Sequence, residues 1–346
     1  MASQPYQLFV LENPLLDLQA QGSDALLSKY NLKANDAILA EPQHKPLYDE
    51  LTALNAVKIA GGAAQNTARG AQYILPPHSV LYVGAVGADD AANTLKEASK
   101  AANLDTEYMV VPEVPTGRCG VVITGDNRSL CTDLGAANHY KIAHLRQPNI
   151  WAHVQAAAYV YVGGFHLTVA PDAAEALGKE AAVAGKTFVL NLSAPFIPVA
   201  FAEPLKKVMA YADIVIGNET EAASWAESQG WEENKRGDMK AIAKAISGLH
   251  KEGRKGRTAI ITQGTDPTLV VKDGEVQEYP VHKIDKSKIN DTNGAGDAFA
   301  GGFMAGLVQG KDVKTCVDMG QWLAALSIQE LGPSFPKEKI EYKPTH

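Results

Sequence analysis

The sequence has no basic surplus, little cysteine and no long apolar run. Of its 346 residues, Lys and Arg number 32 against 39 Asp and Glu, a formal net charge of −7. With no cationic excess to neutralise a phosphate backbone, a general nucleic-acid binder is excluded; a small anionic ligand, which needs only a local cradle, is not. Cys119, Cys131 and Cys316 are odd in number and form no C-x-x-C pair. Neither a disulfide framework nor a structural zinc site is expected, and a reducing compartment suits the chain better. Residues 1–6 lack the basic-then-apolar pattern of a secretion signal, and no run approaches the length that crosses a bilayer. The expectation is a soluble cytoplasmic protein, with the nucleus not distinguished from the cytoplasm, and with no membrane partner.

Familiar catalytic motifs are missing as well. Gly185-Lys186-Thr187 has the ending of a P-loop, but Glu180 stands where its first glycine belongs. The dinucleotide pattern beginning at Gly294 meets Phe299 in place of its third glycine, and neither H-E-x-x-H nor G-x-S-x-G occurs. Nine histidines are scattered without metal-ligand spacing.

What is present is an ordinary globular composition, 46% hydrophobic and 21% charged, long enough for one large domain or two smaller ones. Apolar runs of strand length (7–11, 79–86, 156–163, 186–192, 213–216, 258–262) alternate with stretches of helical spacing (64–74, 91–104, 173–184, 239–250, 313–329). Such alternation predicts an α/β fold with a mostly parallel sheet flanked by helices. Residues 268–271 and 276–279 read as a hairpin around Asp273-Gly274. Two segments break the rhythm, 15–58 and 112–138. The second holds a hairpin, residues 118–124 and 128–132 around Gly125-Asp126-Asn127. Together they predict a small β-rich lid (15–58 and 112–138) over a large α/β domain (1–14, 59–111 and 139–346). Ligands in such sheets bind at the carboxyl ends of strands, where Asn13, Ser193, Asn218 and Gln263 fall.

The most informative stretch is 289–307, I-N-D-T-N-G-A-G-D-A-F-A-G-G-F-M-A-G-L. Its first half is rich in turn residues. From Ala298 onward, Phe299, Phe303, Met304 and Leu307 fall at helical spacing. Unpaired N–H groups at a helix start favour an anion, and Gly294 and Gly296 allow close backbone approach. One reading is an anion cradle with the Asp297 carboxylate at its rim; the other is an ordinary capped helix. Elsewhere Arg128 beside a hairpin turn suits a phosphate or plain solvent. Asn218 and Glu221, spaced N-x-x-E, suit a hydrated magnesium ion or a helix N-terminus. Asp17 and Asn66 suit a diol or turn and capping roles.

As a set these residues resemble the PfkB (ribokinase-like) family of sugar and nucleoside kinases. The resemblance rests on D-T-N-G-A-G-D at 291–297, N-x-x-E at 218–221 and G-G-x-x-x-N at 61–66. It is strengthened by N-P-L-L-D at 13–17, T-G-D-N-R-S-L at 124–130, N-L-S-A-P-F at 191–196 and G-N-E-T-E-A at 217–222. It spans residues 8–336. It implies a ribokinase-like fold and transfer of the ATP γ-phosphoryl group to the 5′-hydroxyl of adenosine, giving AMP and ADP, a purine-salvage reaction. By that resemblance Asp297 is the base, Gly294, Ala295 and Gly296 form the anion hole, and Arg128 closes on the phosphates. Asp17, Gly62 and Asn66 hold the ribose hydroxyls, Leu15, Leu130, Leu134, Phe165 and Phe196 wall the base, and Asn13, Gly61, Cys119 and His166 also bind the substrate. Asn191, Asn218, Thr262, Gln263, Gly264, Asp291, Thr292 and Asn293 border ATP, and Asn218 with Glu221 organises Mg2+. A monovalent cation is compatible with the family, which also suggests a monomer. Ala37, Ala63 and His166 depart from the family pattern (Gln, Ser and Phe respectively), leaving base selectivity open. Two alternatives are a kinase for another nucleoside or a sugar, and a nucleoside-binding regulator without catalysis. On an ordinary carboxyl pKa of ~3.9, lowered further by a helix N-terminus, Asp297 is expected to be a weak base that aligns the hydroxyl and accepts its proton late.

Overall fold

The structure is a computed structural model and describes residues 5–34, 36–125 and 127–344. Asp126 of the expected hairpin turn, and residues 1–4 of the polar N-terminal stretch, lie outside the described residues. Fourteen strands occur among the described residues. They are β1 (Leu8–Leu11), β2 (Leu15–Gln21), β3 (Ala37–Leu39), β4 (Val57–Gly61), β5 (Val80–Val86), β6 (Asp105–Val110) and β7 (Arg118–Thr124). The rest are β8 (Asn127–Asp133), β9 (Tyr159–Gly163), β10 (Thr187–Asn191), β11 (Ile214–Asn218), β12 (Thr258–Gln263), β13 (Asp266–Lys272) and β14 (Glu275–Tyr279). Four helices position the site: α1 (Ala63–Ile74), α2 (Glu219–Ser228), α3 (Ala295–Val308) and α4 (Val313–Ser327).

The strands make a nine-stranded sheet, ordered β14-β13-β12-β11-β10-β9-β1-β5-β6, and a five-stranded sheet, ordered β3-β8-β7-β2-β4. In the large sheet all pairs from β12 to β6 are parallel, and β13 and β14 add an antiparallel edge. Helices cover both faces, so β1 (LFVL) and β5 (VLYVGAV) are buried at every residue and read as continuous apolar runs. Strand alternation sends Phe9 and Leu11 into the core on one face and Leu8 and Val10, with Phe299 and Phe303, into the core on the other. The expected α/β class with a small β unit is what the chain adopts.

In the small sheet, β2 turns Leu16, Leu18 and Ala20 towards a separate core with Leu47, Tyr48 and Leu51. Period-2 alternation leaves Asp17 and Gln19 on the opposite face. Four strands, β2, β3, β4 and β6, were not legible as such. Residues 15–21 read as a strand end followed by a polar stretch, because polar side chains interrupt the apolar ones. β6 is an edge strand of polar-rich sequence whose residues are only partly buried. The helix of the 289–307 stretch begins at Ala295, three residues earlier than the spacing of its large side chains suggests.

Helix α3 meets α1 at close quarters. A Cβ on Gly301 would lie 2.7 Å from the Thr67 carbonyl oxygen and 3.0 Å from the Ala71 nitrogen. Only a residue without a side chain permits this approach. It brings the first turn of α3 beside the first turn of α1.

Candidate active site

From β1 the chain passes outward to β5 and β6, and later returns to β9 on the other side of β1. A crevice opens where the direction reverses, at the carboxyl ends of the strands. The small sheet stands over it, and between the two lies a cleft of ≈ 430 Å³. Its wall includes Asn13, Leu15, Asp17, Gly62, Asn66, Cys119, Arg128, Leu130 and Leu134. It also includes Phe165, Phe196, Asn218, Glu221 and the continuous run 292–297. Residues more than 280 positions apart in the chain thus share one surface.

At one end is the start of α3. Gly294 is its N-cap, with φ 80°, and Pro333 packs so closely that an added Cβ would lie 2.5 Å from the Pro333 Cβ. The Ala295 N–H donates to the Thr292 carbonyl at 3.2 Å. The amides of Gly296 and Asp297, which have no carbonyl four residues back within the helix, are first-turn donors of the kind that suits an anion. Asp297 lies inside the first turn and makes no capping bond. Its Oδ2 instead accepts from Asn66 Nδ2 at 2.9 Å, and its backbone carbonyl accepts from Thr67 Oγ1 at 3.2 Å.

Enclosure in the cleft raises the Asp297 carboxyl to about 7, outweighing the Asn66 hydrogen bond and the charge of Arg69, which both pull it down. The expectation of a depressed, weakly basic Asp297 is therefore corrected: loss of water around the carboxylate exceeds the pull of the helix N-terminus. Three more carboxyls share this condition. Burial raises Asp17 to about 7 against the Arg69 charge, and Glu221 to about 7. Burial also raises Glu12 to about 8. Glu12 was not picked out from the sequence, although a charged residue closing an apolar strand was a usable signal. Its Oε2 accepts from the Ala64 N–H at 2.7 Å, at the start of α1, while Oε1 has no partner among the described residues.

The other end of the cleft is apolar. Leu15, Leu130 and Leu134 come from the small unit, and Phe165 and Phe196 face them with ring centroids 6.0 Å apart. The Cys119 thiol is 2% exposed and receives the Thr132 hydroxyl at 3.4 Å. Ala37 and Ala63 also border the cleft.

Several expected site residues stand behind this wall. An added Cβ on Gly61 would lie 2.2 Å from Asp17 Oδ1, so Gly61 is the backing of Asp17. His166 is fully buried, and burial depresses it to about 3. It is neutral at physiological pH and engages Asn13 Oδ1 through Nδ1 at 3.1 Å, while Asn13 Nδ2 donates to the Phe165 carbonyl. Asn191 binds the Tyr161 hydroxyl and the Ser193 N–H. Thr262 pairs with Asn218 across β11 and β12, followed by Gln263 and Gly264 outside the enclosed cleft. Ser193, which does border the cleft, has φ 66°, an uncommon conformation for a residue with a side chain.

Asp291 lies beneath the cradle, 1% exposed. It receives Arg128 Nε at 3.0 Å and Gln19 Nε2 at 2.7 Å from the small sheet, and the N–H groups of Asn293 and Gly332 from the large unit. Arg128 is thus held by an ion pair across the two units, not left in solvent. Asn218 and Glu221 form a reciprocal capping box at the start of α2. That uses inward-facing lone pairs of Glu221 without supplying a cation. A lone carboxylate with an amide cannot enclose a metal, but it suits Mg2+, which keeps most of its own water. Among the described residues no group of three or more His, Cys, Asp or Glu is placed to hold a metal ion.

Comparison with known proteins agrees with this geometry. Residues 24–340 match the model of the pfkB family carbohydrate kinases. The adenosine kinase of Saccharomyces cerevisiae is 49% identical over 340 residues, covering 97% of this chain and 98% of that protein. Adenosine kinase 2 of Arabidopsis thaliana is 44% identical, covering 96% of each. The Anopheles gambiae adenosine kinase, solved in complex with P1,P4-di(adenosine-5) tetraphosphate, superposes with a TM-score of 0.92 at 41% identity. The match covers 95% of this chain and 98% of that one. The architecture, the cleft at the strand ends and these likenesses agree: the chain belongs to the pfkB family of carbohydrate kinases.

Proposed function

We propose that the chain is an adenosine kinase, transferring the γ-phosphoryl group of ATP to the 5′-hydroxyl of adenosine and releasing AMP and ADP. The observation that carries this reading is the order of chemistry along one cleft. The helix N-terminus and the Asp297 carboxylate lie at one end, Asp17 and Asn66 between, and an apolar slot at the other. That sequence matches a 5′-hydroxyl, a ribose diol and a flat base. Full-length relatives that are adenosine kinases support it.

In this reading Asp17 and Asn66 hold the ribose, and Leu15, Leu130, Leu134, Phe165 and Phe196 sandwich the adenine. Asp297 accepts the proton of the 5′-hydroxyl as its oxygen bonds to the γ-phosphorus and the bond to the ADP oxygen breaks. A base near 7 is half ionised at neutral pH and accepts a proton far more readily than an ordinary carboxylate. The Gly296 and Asp297 amides meet charge that grows on the phosphoryl oxygens. Asn218 and Glu221 would hold Mg2+, which when bound would supply charge neutralisation of the triphosphate. Residues 262–264 border the nucleotide of ATP at the open edge of the cleft. Asn191 and His166 act indirectly, by holding Ser193 and Asn13.

The five-stranded sheet serves as the lid, latched by Arg128 on Asp291, and closure excludes water from the phosphoryl group. Three buried free thiols suit the reducing cytoplasm. One chain supplies every residue assigned a role, consistent with a monomer. ADP release measured across adenosine, inosine, guanosine, cytidine and ribose tests the substrate assignment. Adenosine should exceed ribose by at least about 100-fold in kcat/KM, since ribose leaves the apolar slot unfilled. Ribose turned over as well as adenosine would overturn it.

A further inference from the structure

Arg69, which no motif singled out, lies one helical turn beyond Asn66 on α1 and faces the same carboxylates. Its Nη2 donates to Asn66 Oδ1 at 2.6 Å, to the Ala60 carbonyl of β4 at 2.6 Å and to the Pro333 carbonyl at 3.1 Å. We propose that Arg69 is a positioning residue for phosphoryl transfer, locking the Asn66 amide in the one orientation that presents a donor to Asp297. The proposal rests on Asp297 being the base of the reaction read above.

Donor and acceptor chemistry sets the orientation of the Asn66 amide. Arginine can only donate and an ionised carboxylate can only accept. An amide between them has one satisfactory orientation, with Oδ1 to Arg69 and Nδ2 to Asp297. Nδ2 is 2.9 Å from Asp297 Oδ2, as that orientation requires. Without Arg69 the amide could rotate, present Oδ1 to the base and lose both bonds. A fixed amide leaves one further N–H and one further lone pair of Asn66 for a substrate hydroxyl. The chain Arg69–Asn66–Asp297 therefore links base and ribose.

Arg69 also stands behind the cleft wall on α1, within electrostatic range of its acidic groups. It acts on Asp297 of α3, on Asp17 of β2 and on Tyr108 of β6. Glu12 at the end of β1, Tyr161 of β9 and Glu221 of α2 lie within electrostatic range of Asp297, and Asp291 within range of Asp17. Arg128, which does line the cleft, is paired with Asp291. The bond to the Pro333 carbonyl gives Arg69 a further hold, since Pro333 packs against Gly294 of the cradle.

The test is a double-mutant cycle with Arg69→Gln and Asn66→Ala, read in kcat with adenosine and ATP, alongside Arg69→Lys. R69Q should lose about 10- to 100-fold in kcat with the KM for ATP little changed, and the double variant should lose scarcely more than N66A, because both remove one unit. The acid limb of kcat against pH should move up by about one unit in R69Q, where the charge is gone, and stay in place in R69K. R69K should recover most of the lost turnover, and it serves as the informative variant if R69Q melts below the assay temperature. Wild-type kcat in R69Q, losses that multiply in the double variant, or an acid limb of R69K displaced as far as that of R69Q would each overturn the proposal. These outcomes leave the function itself untouched, since that reading is judged by whether the unmodified chain phosphorylates adenosine.

Discussion

Asp297 carries two influences of opposite sign. The helix start and the Asn66 and Arg69 side chains favour its charge; its enclosure in the cleft disfavours it, and the enclosure prevails, to about 7. The consequence for activity follows from the sign. A base must be ionised to accept a proton, so kcat/KM should fall about tenfold per pH unit below about 7 and level off above it. Asp297→Ala should lower kcat by about 100-fold or more while adenosine still binds, and its residual rate should lack the acid limb. Calorimetric binding alongside turnover separates the two effects; a variant with near-normal turnover would dismiss Asp297 as the base. The motif at 291–297 identified this residue without its environment. Sequence spacing shows which residues neighbour Asp297 on α3, but not that Asn66 and Arg69 face it from a helix some 230 positions earlier.

At the scale of elements, the site depends on how closely two helices pack. Gly301 on α3 leaves room for the Thr67 carbonyl of α1, and this contact brings Asp297 to Asn66. No sequence pattern assigned Gly301 a role; its purpose is visible only against the neighbouring backbone. Gly301→Val should force the helices apart. A cost of about 1–3 kcal/mol is expected in urea unfolding, with kcat falling more than the stability loss alone accounts for. Unchanged kcat in a destabilised but folded variant would mean that the contact serves packing only. The capping box at Asn218 and Glu221 teaches the converse. Its N-x-x-E spacing supports a helix start and a metal site equally, and the structure shows the first to be formed, with Glu221 lining the cleft.

For the whole molecule, the node at Asp291 is where the two sheets meet. Gln19 and Arg128 reach it from the small unit, and the amides of Asn293 and Gly332 from the large one. If the small sheet is a lid, binding adenosine with a non-hydrolysable ATP analogue should reduce the radius of gyration in small-angle scattering. Asp291→Ala should keep the radius large with both ligands present. Superimposable curves for free, liganded and variant protein would refute the closure. The segments that form the small sheet were legible as breaks in the β/α alternation, yet its contacts at Asp291 were not. Asp291 lay within a motif read for ATP, and Gln19 lay in a stretch without a clear period.

Local chemistry is short-ranged, and so the chain alone determined its α/β rhythm, the turn-rich approach to α3 and the motifs that bring it into its family. Those features depend on neighbours within a few residues, through apolar period, backbone freedom at glycine and the unpaired amides of a helix start. Tertiary structure decided what those residues experience. The raised carboxyls at Glu12, Asp17, Glu221 and Asp297, the neutral His166 and the single orientation of the Asn66 amide arise where distant strands and helices exclude water from shared space. Desolvation and charge coupling depend on three-dimensional distance, which no spacing along the chain encodes.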